Sequence, residues 1–136
     1  MSAVPGRGQG IYATSKFAVL GLSEALRSDL EPKGIGVSVL CPGFVKSGIF
    51  ESGRNRPDRF GGRFMRSPDH PLKQGLDESG LDARAVGRRV RKAVEDDELY
   101  IITHPEFRAL VEERHKSILE AFDHAEGLAF FEQPEA

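Results

Sequence analysis

The chain has no tryptophan, only two methionines and a single cysteine, Cys41. One cysteine cannot form an intramolecular disulfide, and no Cys/His ligand spacing surrounds it, so no metal is expected and a reducing, cytoplasmic location fits. Long apolar runs are missing as well. Nothing approaches the ~18 apolar residues of a membrane span, and the opening MSAVPGRG has neither an apolar signal core nor an Arg-rich transit pattern. No membrane partner, anchor or export is therefore expected. Neither sign of charge dominates: 19 basic residues face 21 acidic ones, for a formal charge of -2. A broad positive field able to hold nucleic acid is thereby excluded. With 39% hydrophobic and 29% charged residues in 136, the composition is that of at most one ordinary globular domain.

Residues 1–10 hold three glycines and one proline and read as a flexible approach. From Tyr12 to Glu31 the apolar residues Ala13, Phe17, Leu20, Leu26 and Leu30 recur at helical steps, with Ser23, Arg27 and Asp29 left for a wetter face. Pro32 ends this long helix and Lys33-Gly34 supply a turn. Ile35 to Cys41 reads as a short β-branched strand covered on both faces, stopped by Pro42-Gly43. Residues 48–80 collect Gly, Pro, Ser and Arg, a composition for a long irregular or partly helical surface loop. Asp82 is a candidate N-cap for a second helix to about Glu95, with Ala85, Val86, Val90, Ala93 and Val94 as its apolar stripe. Leu99 to Thr103 is a second candidate buried strand. Pro105 opens a third helix in which Phe107, Leu110, Val111, Ile118, Leu119 and Phe122 face inward, and the tail from Glu126 has no assignment.

The alternation of helix and strand argues for an α/β fold with parallel strands and right-handed crossovers. No internal repeat is visible. Two strands are too few for such a sheet, so further strands are expected upstream of Met1. The chain divides as one partial domain, 1–136: a helix, strand and Pro-Gly turn (1–47), a loop region (48–80), a helix-strand-helix part (81–125) and a tail (126–136).

Tyr12 and Lys16 stand four residues apart and so project from one helix face. An ammonium beside a phenol favours the phenolate, which suits an acid/base catalyst that protonates a carbonyl oxygen as hydride arrives, or takes the alcohol proton in reverse. The spacing alone is equally that of an ordinary Tyr near a helix start with an exposed Lys one turn later. Its context is more specific. Tyr12-x-x-x-Lys16, the small residues Ala13 and Ser15, the stretch Glu24-Ala25-Leu26-Arg27 and Pro42-Gly43-Phe44-Val45-x-Ser47 follow one another along residues 10–49. In these motifs the segment resembles the short-chain dehydrogenase/reductase family, in its C-terminal part only.

The resemblance implies the C-terminal portion of a Rossmann-like doubly wound parallel sheet, with the N-terminal cofactor-binding strands absent. It implies NAD or NADP as cofactor and a small-molecule carbonyl or alcohol as substrate. Tyr12 becomes the proton donor or acceptor, and Lys16 assists it and hydrogen-bonds the nicotinamide ribose. Pro42 and Gly43 let the backbone approach the nicotinamide, Val45 contacts its carboxamide, and Ser47 stands where the family usually has Thr. The sequence also departs from the family. No Gly-rich turn follows a first strand, and Gly6, Gly8 and Gly10 are not that fingerprint because no strand precedes them. Ser2 lies too close to Tyr12 to be the family's carbonyl-orienting serine, and the asparagine of its proton relay would come earlier still.

Arg54, Arg56, Arg59, Arg63 and Arg66 read as a solvated loop balanced by Asp58 and Asp69, rather than as an anion site. Phe50, Phe60, Phe64 and Met65 either line an apolar pocket under a mobile substrate cover or simply pack the loop. His70, His104, His115 and His124 show no ligand spacing and read as structural or solvated. Cys41 reads as a small buried hydrophobe. The expectation is a fragment of an NAD(P)-dependent oxidoreductase, inactive alone. The alternative is a non-catalytic module, associating as a homo-oligomer through helix 12–31.

Overall fold

The computed structural model describes residues 9–126 and 128, the side chain of residue 72 excepted. Ser2, Gly6, Gly8 and the rest of the tail lie outside the described residues. The architecture is α/β: helices around a small sheet of two parallel strands.

Helix α1 spans Gly10–Leu30. Its sequence contains no proline and is rich in Ala, Leu and Ser, and it ends where Pro32 removes a backbone donor. A short 3₁₀ turn, Glu31–Lys33, follows, and Gly34 takes the left-handed conformation (φ 69°) that turns the chain toward the sheet. The half-covered positions of α1 are Ala13, Phe17, Leu20, Ser23, Arg27 and Leu30. Leu26, expected inward, lies about 140° round the helix axis from Ala13 and is 38% exposed. Arg27, expected on the wetter face, instead falls on the inward stripe.

Two polar contacts explain this. The Arg27 guanidinium grips Asp97 with both terminal nitrogens, at 2.5 and 2.7 Å, and the Tyr100 hydroxyl donates to Glu24 Oε1 at 2.8 Å. The Arg27 hydrogen bonds hold the Asp97 carboxyl below its ordinary range, and the bond to Glu24 holds the Tyr100 phenol above its own. The Glu24-to-Arg27 stretch thus anchors α1 to the segment leading into the second strand.

Strand β1 is Val39–Cys41 and β2 is Tyr100–Ile102, paired in parallel with Val39 opposite Tyr100 and Cys41 opposite Ile102. Both are shorter than the expected Ile35–Cys41 and Leu99–Thr103. A strand needs a partner along its length, and the chain before β2 turns sharply at Asp97 (φ 55°), leaving nothing to pair with Ile35–Val37. Ser38 Oγ donates to the Glu98 carbonyl and the Val39 N–H to the Leu99 carbonyl, both at 2.7 Å, where the sheet begins. Val39 and Ile101 are buried, whereas Leu40, Tyr100 and Ile102 remain substantially exposed. Coverage on both faces is not seen, because no further layer stands over these side chains among the described residues.

Residues 48–80 contain two 3₁₀ turns, Ser52–Asn55 and Asp58–Phe60, and helix α2, Pro71–Ser79. Helix α3, Ala83–Glu95, starts as expected at Asp82, whose carboxylate accepts from the Ala85 N–H at 2.9 Å. Val86 and Ala93 bury against the sheet, while Val94, expected in the stripe, is 59% exposed. Arg89 is half-buried and makes a two-pronged bond with Glu98. Among the described residues the buried apolar side chains are Val39, Leu76, Val86, Ala93 and Ile101.

After β2, Pro105 opens a 3₁₀ turn, Pro105–Phe107, rather than the α-helix itself, and helix α4 runs Arg108–Glu126. Phe107 and Val111 are half-buried, but Leu110, Ile118, Leu119 and Phe122 are exposed, against the sequence-based expectation. Past its first turns α4 reaches α1 through Arg114, which lies 5.0 Å over the Phe17 ring. Beyond that contact its apolar side borders an open groove of about 640 Å³ lined by Ile118, Ala121 and Phe122.

Candidate active site

Both strands run in the same direction, so their carboxyl ends open on one edge of the sheet, the edge where ligands of parallel α/β sheets bind. The segment Pro42–Ser47 leaves β1 at that edge and Thr103-His104 leaves β2 beside it. Three contacts hold the first segment. The Gly43 N–H donates to His104 Nδ1 at 3.0 Å. Val45 forms a parallel bridge with Leu81, in which the Leu81 N–H donates to the Phe44 carbonyl and the Lys46 N–H to the Leu81 carbonyl, both at 2.9 Å. The Phe44 ring lies against Gly75 of α2, where a Cβ would fall 2.7 Å from it.

This bridge uses the peptide groups on either side of Val45 and turns Val45's own N–H and C=O to the opposite edge. A primary carboxamide has one acceptor and a pair of donors, so an extended residue offering both groups is a chemical match for it. Ser47 is exposed and its hydroxyl makes no hydrogen bond among the described residues. It borders a cavity of about 260 Å³ shared with Lys46, Phe50, Lys73 and Leu76.

Tyr12 and Lys16 occupy the first turns of α1. Tyr12 is 50% exposed, and Lys16 Nζ lies 5.4 Å from the centre of its ring. The two hydroxyls between them are occupied by the helix: Thr14 Oγ1 donates to the Gly10 carbonyl at 2.9 Å, and Ser15 Oγ to that of Tyr12 at 2.7 Å. Lys16 makes no ion pair among the described residues, so its ammonium donors are free for an incoming group. Tyr12 with Lys16 forms one cluster and Pro42–Ser47 another; no hydrogen bond or ion pair joins them among the described residues.

The loop arginines have partners other than those expected. Arg54 reaches Glu51 and the Gly48 carbonyl, and Arg66 donates to the Ile49 and Phe50 carbonyls and to Ser52 Oγ. Arg56 and Arg66 both lie over the Phe64 ring, and Arg59 over Phe60. Neither Asp58 nor Asp69 pairs with them among the described residues. Phe50 is half-buried, edge-on to His70, while Met65 is almost fully exposed. Cys41 is half-buried, and no cluster of metal-ligating side chains occurs among the described residues.

Residues 1–58 match the family of the short chain dehydrogenase. The chain is 35% identical over 114 residues to C alpha-dehydrogenase of Sphingobium sp., a match that takes in 82% of this chain and 37% of that protein. It is 32% identical over 126 residues to a CLA biosynthesis dehydrogenase/reductase of Lactiplantibacillus plantarum, covering 82% of this chain and 42% of the other. A crystal structure of a short chain dehydrogenase/reductase from Burkholderia phymatum in complex with NAD superposes with a TM-score of 0.77 at 32% identity, over 88% of this chain and 45% of that one. The chain belongs to the short-chain dehydrogenase/reductase family. It spans less than half the length of the relatives it matches.

Within this oxidoreductase family the two-stranded sheet is the C-terminal portion of a Rossmann fold. The clusters at Tyr12 and at Pro42–Ser47 are the candidate site. Of the residues that pin the turn, the sequence reads His104 only as structural or solvated and gives Leu81 and Gly75 no role. A histidine right after a strand, level with a Pro-Gly turn after its neighbour, was the available signal for the first. The other two depend on a pairing between distant segments that no local pattern encodes.

Proposed function

We propose that this chain supplies the acid/base and nicotinamide-facing part of an NAD(P)-dependent oxidoreductase that interconverts a carbonyl and an alcohol. We further propose that it does not turn over alone. The observation that carries this is the pairing of an exposed Tyr12 phenol with an unpaired Lys16 ammonium one helical turn away, in a chain whose Val45 edge suits a carboxamide.

The donor set fits the nicotinamide end of a dinucleotide. Val45 would hold the carboxamide, Ser47 would add a hydroxyl contact, and Lys16 would donate to the ribose. A bound dinucleotide supplies or accepts the hydride. In the reducing direction the Tyr12 hydroxyl hydrogen-bonds the substrate carbonyl oxygen and passes its proton to that oxygen as the alcohol forms, and the Lys16 charge stabilises the phenolate left behind. The phenolate takes the proton back in the oxidising direction. Residues 48–80, with their arginine-aromatic contacts, serve as the substrate cover.

The same set does not provide for the pyrophosphate. No strand, Gly-rich turn and helix in succession occurs among the described residues, so nothing evident offsets that charge. Neither NAD nor NADP is favoured by the described residues. The homologues named as dehydrogenases support small-molecule substrates.

The test compares the chain with a longer protein that includes any coding sequence preceding it. Each is incubated with NADH or NADPH and a panel of ketones and aldehydes while the reduced nicotinamide is followed by absorbance. The longer protein is expected to oxidise the cofactor in a substrate-dependent manner and the chain alone is not. Turnover by the chain alone would contradict the second clause of the proposal, and none by the longer protein across the panel would contradict the first.

A second function is favoured by one observation, the exposure of Ile11 and Leu22, which lie about 20° apart round the α1 axis. An apolar helix face of this kind suits association with another copy.

A further inference from the structure

We propose that His104 is a positioning residue which fixes the peptide of Gly43, and through it the nicotinamide-facing edge at Val45, with its ring proton on Nε2. This deepens the proposed oxidoreductase site and rests on it. His104 is the one buried polar residue among the described residues, 6% exposed. Its ring is held on two sides. It stacks on Phe107 with centroids 5.6 Å apart and planes 16° from parallel, and it lies so close over Gly43 that a Cβ there would stand 2.7 Å from its Cγ and Cδ2. No side chain larger than hydrogen fits between the turn and the ring.

The tautomer follows from the donors. A backbone N–H only donates, so Nδ1, 3.0 Å from the Gly43 nitrogen, must be the acceptor and Nε2 carries the proton. Thr103 Oγ1, 2.7 Å from the same Nδ1, can share that single lone pair only as a donor, which agrees with this tautomer. With the proton moved to Nδ1, two N–H groups would point at each other and the Gly43 amide would lose its partner. Nε2 itself is buried and without a hydrogen bond among the described residues. A buried polar atom left unmatched costs stability. A phenylalanine-like ring would avoid that cost yet could not accept from Gly43. The residue that remains is the one whose acceptor holds the turn. Two residues downstream the bridge to Leu81 fixes the same segment from its other end, so Val45 is presented between two anchors.

The test uses two variants of the protein. His104→Leu keeps an apolar filling without an acceptor, and His104→Asn returns an amide oxygen close to the Nδ1 position. In the chain without cofactor, ring nitrogen shifts report the tautomer and hydrogen exchange reports the Gly43 amide. The wild type should carry its proton on Nε2, and Gly43 exchange should accelerate by about tenfold or more in the Leu variant and return toward wild type in the Asn variant, as expected for loss and recovery of one hydrogen bond. In the catalytically competent protein the Leu variant should raise the cofactor KM by a similar factor with a much smaller change in kcat, again recovered by Asn. A ring proton on Nδ1, unchanged Gly43 exchange in the Leu variant, or a KM that Asn fails to recover would overturn the proposal. If the Leu variant fails to fold, the wild-type tautomer and the Asn variant still decide. An absence of any cofactor-dependent turnover in the wild type would instead overturn the oxidoreductase proposal, since tautomer and exchange are read without cofactor.

Discussion

Tyr12→Phe in the catalytically competent protein is expected to lower kcat by about 10²- to 10⁴-fold, the usual worth of a positioned general acid or base. The change deletes one oxygen from a half-exposed side chain that makes no hydrogen bond among the described residues, so it leaves neither a cavity nor an orphaned partner. Folding and NADH affinity should therefore stay near wild type, and the loss should fall on turnover alone. That separation distinguishes a proton-transfer role from a structural one. Steady-state kinetics together with a fluorescence titration of NADH measure both quantities. A Phe variant that turns over like the wild type would remove Tyr12 from the mechanism.

Gly43→Ala is expected to damage stability and cofactor affinity together. The added Cβ would meet His104 Cγ and Cδ2 and Phe107 Cε2, each at 2.7 Å, a distance at which something must shift. The two rings are stacked on one another and His104 is buried, so neither can swing aside as the end of a flexible chain would. Overpacking of this kind typically costs about 1–3 kcal/mol. Its relief must displace the turn or break the bond from Gly43 to His104, and either movement shifts the Val45 edge. Urea unfolding should give a lower midpoint and NADH titration a weaker complex. Wild-type values in both would show that the turn is not clamped as described.

The parts of this molecule that were legible in its sequence are those set by local chemistry. Asp82 caps α3 because an acidic residue before an Ala/Val stripe satisfies an otherwise unpaired helix N–H, and Pro32 with Gly34 ends α1 for reasons that lie within four residues. Tyr12, Lys16 and the Pro-Gly turn were visible through their spacing and order. What was not legible depends on which distant segments meet. Arg27 reads as a solvent-facing charge until Asp97 arrives opposite it. Ile35–Val37 reads as strand until the turn at Asp97 leaves it without a partner. The apolar residues of α4 read as inward because apolar periodicity marks a face without naming what covers it, and in this chain Ile118 and Phe122 border an open groove while Leu119 is exposed. His104 was invisible as a functional element because its role lies in a bond to Gly43, 61 positions away.

The most direct measurement of the central claim is a titration of the ¹⁵N-labelled chain with NADH, carried to millimolar concentration so that weak binding registers, with amide shifts followed residue by residue. The account predicts that the shifts concentrate at Tyr12, Lys16 and Gly43–Ser47, bringing together two segments that share no hydrogen bond in the unliganded chain. Shifts that spare both segments and gather elsewhere, along α4 or among the loop arginines, would contradict it.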